Sequence, residues 1–266
     1  MTRLQLVEQI RKKRSYLCVG LDTDRTKIPP HLLSLADPVW EFNKQIIDAT
    51  KDHCVAYKIN TAFYEADGLK GWEAMERTVN YISPEHFKIA DAKRGDIGNT
   101  SSQYAKAFFE TMAFDAITVA PYMGSDSVRP FLEYKNKWTI LLGLTSNAGS
   151  KDFELQPAGE GLLYEKVLTT ASGWGSPENL MFVIGATQPD WFEHIRRLTP
   201  DHFYLVPGVG SQGGSLEAIS RKAMNKDVGL LVNSSRDIIF AGKGEDFAVV
   251  AGEKARGYRE EMGAFL

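Results

Sequence analysis

The sequence predicts an α/β protein built as a (β/α)8 barrel, the TIM-barrel arrangement, and three observations carry that expectation. Short runs rich in β-branched and aromatic residues alternate with longer segments of helical periodicity, the pattern of repeated βα units on a parallel sheet. Eight such runs can be read along the chain, enough to close a barrel. A doubly wound open sheet would show a glycine fingerprint after its first strand, whereas Gly20-Leu21-Asp22-Thr23-Asp24 stands there. The length of 266 residues suits one barrel of roughly 250 residues, so residues 1–266 read as a single domain, with two domains the alternative.

The expected strands are residues 16–22, 55–60, 87–93, 116–122, 139–144, 180–186, 203–208 and 229–233, each followed by a stretch able to form a helix. Ahead of them, residues 2–14 carry apolar residues at helical spacing and a basic end. They lack the continuous apolar stretch and small-residue cleavage site of a signal peptide. No apolar run approaches the roughly 20 residues of a membrane-crossing helix, so no membrane role is expected. With 43% hydrophobic and 24% charged residues, the chain can bury a sizeable core. The net charge of −3 offers no broad basic field, which argues against nucleic acid as a partner. An anionic substrate would have to be held by a few placed cations and backbone N–H groups. Cys18 and Cys54 are too few for a disulfide framework and lie inside apolar runs, the usual setting of buried thiols in a reducing cytoplasm.

Active sites of such barrels sit at the C-terminal ends of the strands. Those ends hold Asp22, Lys58, Asn60, Asp91, Lys93, Ser146, Gln212 and Arg236, a convergent polar ring. Side chains alternate along a strand, so Asp91 and Lys93 are expected on one face with Ala92 pointing outward. Lys58 ends the adjacent stave, and Asp96 falls beyond the strand, where Gly95 and Gly98 loosen the turn. Two carboxylates and two ammonium groups should then alternate. Taken alone, that set reads equally as a salt-bridge network at the rim or as a catalytic centre. At the opposite side, the glycines of Pro207-Gly208-Val209-Gly210-Ser211-Gln212-Gly213-Gly214 would let backbone N–H groups approach an anion. Strand eight supplies Ser235 and Arg236 at the start of a helical run. Loops after strands seven and eight of a barrel often bind phosphate, and Arg236 offers a fixed fork for its oxygens. The loop 145–161, rich in Ser, Gly and Asn, is long for a barrel connection and is expected to close over a substrate.

The segment Asp91-Ala92-Lys93-Arg94-Gly95-Asp96-Ile97-Gly98-Asn99-Thr100 closely resembles the Asp-x-Lys-x-x-Asp signature of the orotidine 5′-phosphate decarboxylases, and the arginine after the lysine resembles their longer-chain subfamily. The likeness extends in family order through Val19-Gly20-Leu21-Asp22, Tyr57-Lys58-Ile59-Asn60, Leu144-Thr145-Ser146-Asn147, the glycine-rich loop and Asn233-Ser234-Ser235-Arg236, nearly the whole chain. It implies decarboxylation of orotidine 5′-monophosphate to uridine 5′-monophosphate in pyrimidine biosynthesis, without metal or cofactor. Lys93 is implied as proton donor to C6 and Asp91 as the carboxylate facing the departing CO2. Lys58 would contact the ribose and hold Asp91, while Asp22 would bind a ribose hydroxyl. Ser146 would contact the pyrimidine, although Thr145 and Asn147 are adjacent candidates. Gln212, Ser235 and Arg236 would take the phosphate. Asp96 and Thr100 would reach into a partner subunit's site, which makes a homodimer with shared active sites the implied assembly.

Rival readings stay open at this point. One is a sugar-phosphate lyase of the same barrel superfamily, which shares the Asp-x-Lys-x-x-Asp segment and uses Mg2+; none of the five histidines lies in a close-spaced metal motif. Another is an aldolase-type barrel with a Schiff base on Lys58 or Lys93, against which the flanking carboxylates argue because they favour an ammonium. The third is a non-catalytic barrel that binds nucleotide phosphate.

Overall fold

The computed structural model describes residues 1–186, 190–210 and 214–266. Eight parallel strands close into a barrel: β1 Leu17–Gly20, β2 Ala56–Asn60, β3 Phe87–Arg94, β4 Ala116–Val119, β5 Trp138–Leu144, β6 Leu180–Ile184, β7 Phe203–Pro207 and β8 Leu230–Ser234. Each pairs with its neighbour in chain order, and β8 returns to β1 with Leu17 opposite Val232 and Val19 opposite Ser234. Helices between the strands cover the outer face. Strand residues are therefore buried on both sides, which is why they read as continuous apolar runs and not as alternation. β4 stops at Val119, short of the expected residue 122. Pro121 has no N–H with which to extend the ladder, and its carbonyl instead accepts the amide of Gly124 at 2.9 Å. β1 ends at Gly20, leaving Asp22 just past the strand.

The N-terminal segment is the helix Arg3–Lys13, whose start is fixed by Thr2 and Gln5 exchanging side-chain bonds to each other's backbone. Leu6, Val7 and Ile10 are buried along one stripe. Arg3 donates to the carbonyls of Pro177 (2.7 Å) and Asp201 (2.8 Å) and pairs with Asp227 at 3.1 Å, while the Met1 amine meets Asp115 at 2.7 Å. These four partners immediately precede β6, β7, β8 and β4. The helix thus covers the N-terminal mouth of the barrel and leaves the C-terminal mouth open for a site.

His86 and His202 lie at the covered end, before β3 and β7, and are 4% and 6% exposed. Burial, and then the nearby Lys13 for the first and Arg3 for the second, depresses both imidazoles to about 4. An unfolded histidine titrates near 6.5, so between pH 6.5 and 4 the unfolded chain binds more protons and stability falls as pH drops. The loss should reach up to about 3 kcal/mol per histidine. Urea midpoints at pH 7 and 4.5 check this: the His86→Gln protein should lose less stability on acidification than the parent, and equal losses would contradict it.

Candidate active site

Asp22, Lys58, Asp91 and Lys93 meet at the open mouth. The register of β1 and β2 sets Gly20 opposite Lys58, and that of β2 and β3 sets Asn60 opposite Asp91. The Lys58 ammonium, nearly fully buried, donates to Asp22 Oδ1 at 3.1 Å and to Asp91 Oδ2 at 2.8 Å. The Lys93 ammonium donates to Asp91 Oδ1 at 2.6 Å. Carboxylates and ammonium groups do alternate, but in the order Asp22, Lys58, Asp91, Lys93.

The expected place of Asp96 in that alternation is corrected by the fold. Asp96 sits in the turn ahead of the helix Gly98–Lys106, where its Oδ1 accepts the amide of Ile97 at 2.8 Å. It makes no ion pair among the described residues. Thr100, exposed in the first turn of that helix, likewise stands outside the cavity formed by its own chain. Asp22 supplies the second carboxylate instead.

Burial disfavours charge on Lys58 and on Asp91, and in each case the opposite charges outweigh it. Asp22 and Asp91 raise Lys58 above the ordinary lysine value. Lys58 and Lys93 hold Asp91 well below the usual carboxylate range. Lys58 and Asp91 form the buried centre of the array, and each keeps two partners of opposite charge, which offsets the cost of taking its own charge out of water.

Asp91 and Lys93 meet by a different route from simple alternation. β3 is irregular between Ala90 and Arg94, and Lys93 has φ +45°, the left-handed region. For a side chain of this kind that conformation costs about 1–2 kcal/mol. Thr118 of β4 stabilises it, accepting the Lys93 amide at 2.9 Å and donating its hydroxyl to Asp91 Oδ1 at 3.0 Å. Thr118 is a site residue that sequence reasoning missed. It stands in an apolar strand, and only the register of β4 beside β3 brings it to the pair.

The cavity at this mouth has a volume of about 280 Å3 and opens to solvent. Leu142, Val183 and Leu205 contribute apolar surface from β5, β6 and β7. Ser235 and Arg236 also line the cavity, the latter opening the short helix Arg236–Ile239. Gly20 makes room for Ser235: a Cβ there would come within 1.8 Å of the Ser235 hydroxyl. Arg236 is exposed and its guanidinium has no ion-pair or hydrogen-bond partner among the described residues, so it is available to an anion. Gln212 lies outside the described residues.

Thr145, Ser146 and Asn147 also line the cavity. The connection that follows β5 is more structured than its composition suggests, with a 3-10 turn at Ala148–Asp152 and a two-stranded hairpin of Pro157–Ala158 and Gly161–Leu162. Glu154 pins its start, accepting the Thr145 amide at 2.6 Å and hydroxyl at 2.7 Å. Gly185 lets β6 approach: a Cβ there would lie within 2.9 Å of three Ser146 atoms. Among the described residues no group of three His, Cys, Asp or Glu side chains is arranged to hold a metal ion. The two carboxylates that face the cavity are both engaged by Lys58.

Comparison with known proteins matches residues 15–248 to the model of the "Orotidine 5′-phosphate decarboxylase / HUMPS family". The chain belongs to this family. It is 57% identical to an orotidine 5′-phosphate decarboxylase of Christiangramia forsetii over 269 aligned positions, covering all of this chain and 99% of that one. Among solved structures it superposes on the OMP decarboxylase of Leishmania donovani with a TM-score of 0.83 at 36% identity, covering 98% of this chain and 99% of the other. It also matches the UMP synthase of the same organism with a TM-score of 0.84 at 37% identity, where 96% of this chain spans 56% of the longer one. The family's Asp-x-Lys-x-x-Asp segment is thus the part of the sequence that the fold bends into the left-handed turn at Lys93.

Proposed function

We propose that this chain, as a single catalytic domain, removes CO2 from orotidine 5′-monophosphate to give uridine 5′-monophosphate in pyrimidine biosynthesis. The observation that carries the reading is the Lys93 ammonium seated on Asp91 in the same cavity that the unpartnered Arg236 guanidinium lines. The bond from C6 to the carboxylate breaks with its electron pair left on C6, in the plane of the ring, where the π system cannot take it. Lys93 stabilises that pair electrostatically, then delivers a proton to C6, and is reprotonated from solvent. Asp91 faces the departing CO2, and Lys58 and Asp22 hold the ribose. Ser146 contacts the pyrimidine; Arg236, with Ser235 and Gln212, takes the phosphate.

Magnitudes show why the distant contacts matter. One charge pair at about 4 Å contributes only ~4 kcal/mol at an effective dielectric near 20, whereas very slow reactions need barrier reductions of about 20 kcal/mol or more. The remainder comes from phosphate and ribose contacts that hold C6 against Lys93, exclude water and close the connection after β5.

The assembly is a homodimer in which Asp96 and Thr100 serve the neighbouring site. Supporting it, Asp96 is unused by its own Lys93, and the apolar side chains of Ile97, Tyr122 and Met123 are exposed nearby in sequence and fold, at 58%, 89% and 44%. Mixing Lys93→Ala with Asp96→Ala subunits should therefore restore decarboxylation, since each mixed dimer rebuilds one intact site. No recovery counts against the shared site. The setting is the cytoplasm: both thiols are buried, with Cys54 pushed up to about 12, as inert reduced cysteines are, and no described helix is long and apolar enough to cross a membrane.

The reaction is tested by following loss of orotidine monophosphate absorbance with and without a chelator. Turnover undiminished by the chelator is expected. Chelator-sensitive turnover of a sugar phosphate would favour the Mg2+-dependent reading, and binding of nucleotide without turnover would favour a non-catalytic barrel.

A further inference from the structure

The turn that presents Lys93 takes two backbone groups out of the sheet. Ala90 pairs with Ile117 and Arg94 with Val119, so residues 91–93 of β3 stand against Thr118 alone. The Lys93 amide turns to the Thr118 hydroxyl, and the carbonyl of Ala92 is taken by Nη1 of Arg94 at 2.9 Å. Ala92 is buried, so without that donor its carbonyl would lack a partner away from water. The other arm of the guanidinium, Nη2, pairs with Glu65. Glu65 is the last residue of the helix Thr61–Glu65, which follows directly on the strand carrying Lys58. The rings of Tyr104 and Phe108 lie 5.4 and 5.5 Å from the guanidinium carbon and fix its plane.

We propose that Arg94 and Glu65 are a positioning pair that holds the β3 bulge in place and thereby keeps the Lys93 ammonium on Asp91. The role rests on Lys93 being the proton donor. It requires the planar fork of arginine, because a single side chain must reach the Ala92 carbonyl and Glu65 together.

Arg94→Lys keeps the charge and loses the fork. Its kcat should fall at least tenfold while the Kd for uridine 5′-monophosphate stays within twofold of the parent, a split that a general loss of structure would not produce. Glu65→Gln, at a partly exposed helix end, should lower kcat in the same direction by a smaller factor, and it carries the test if Arg94→Lys fails to fold. Because the two act as a unit, the double variant should be no slower than Arg94→Lys alone. A crystal structure of either variant should show Lys93 displaced from the left-handed region. Native kcat in both variants, equal loss of kcat and nucleotide affinity, or an unmoved Lys93 would overturn the proposal. Parent enzyme without decarboxylation would instead overturn the assigned reaction, and the Lys93 conformation in the variants would still decide whether the pair holds the turn.

Discussion

Replacing Lys93 with alanine is expected to lower kcat by on the order of 10^5-fold, because the proposed mechanism gives one side chain two tasks. Positioned proton transfer contributes about 10^2 to 10^4, and loss of a charge aimed at the developing anion costs about 10^2 to 10^3. The two effects do not simply multiply, since the proton is delivered to the same carbon that the charge stabilises. Binding of uridine 5′-monophosphate should persist. The product carries no negative charge at C6, so it loses no favourable contact there, and Asp91 keeps Lys58 and Thr118 as partners. Single-turnover kinetics beside calorimetric titration of the product separate these effects. Retained decarboxylation refutes the role of Lys93; loss of product binding would mean that the alanine variant has damaged the site as a whole.

Arg236→Ala is expected to lower kcat/KM about 10^3-fold although its guanidinium is remote from the bond that breaks. Two charge-assisted hydrogen bonds to a phosphate are worth about 4 kcal/mol together, and that converts to roughly three powers of ten. Part of the loss should appear in kcat, because in the proposed mechanism phosphate contacts hold the pyrimidine against Lys93 and favour closure of the connection after β5. A substrate lacking the phosphate isolates the cause. Its kcat/KM should be almost insensitive to Arg236→Ala, whereas an equal loss with both substrates would remove the phosphate from the explanation.

Both side chains were legible in the sequence because each sits at a strand end within a short, distinctive segment. The eight strands were legible for a related reason: burial on both faces leaves a run of apolar, β-branched residues whatever the neighbours are. Their ends were less legible, as at Pro121, where a missing N–H stops β4 before the apolar pattern does. Thr118, Glu65 and Glu154 carried no local signal at all. Their significance lies in partners 25, 29 and 9 residues away, contacts that barrel closure and the fold of one connection create.

Sequence by itself determined that Asp22, Lys58, Asp91 and Lys93 stand at strand ends of the C-terminal mouth, although it grouped Asp96, and not Asp22, with Asp91 and the two lysines. Tertiary structure alone decided how they are joined. Strict alternation would put Asp91 and Lys93 on one face of a regular strand, but the chain instead inserts a bulge and turns Lys93 through a left-handed conformation. Only neighbouring strands and helices can repay that strain, through Thr118 on one side and Arg94 with Glu65 on the other. The same turn carries Asp96 away from its own lysine, so that Asp22 completes the array within the chain. A one-dimensional pattern records which residues recur at a spacing; it holds no record of which distant hydroxyl or carboxylate will meet a displaced backbone group.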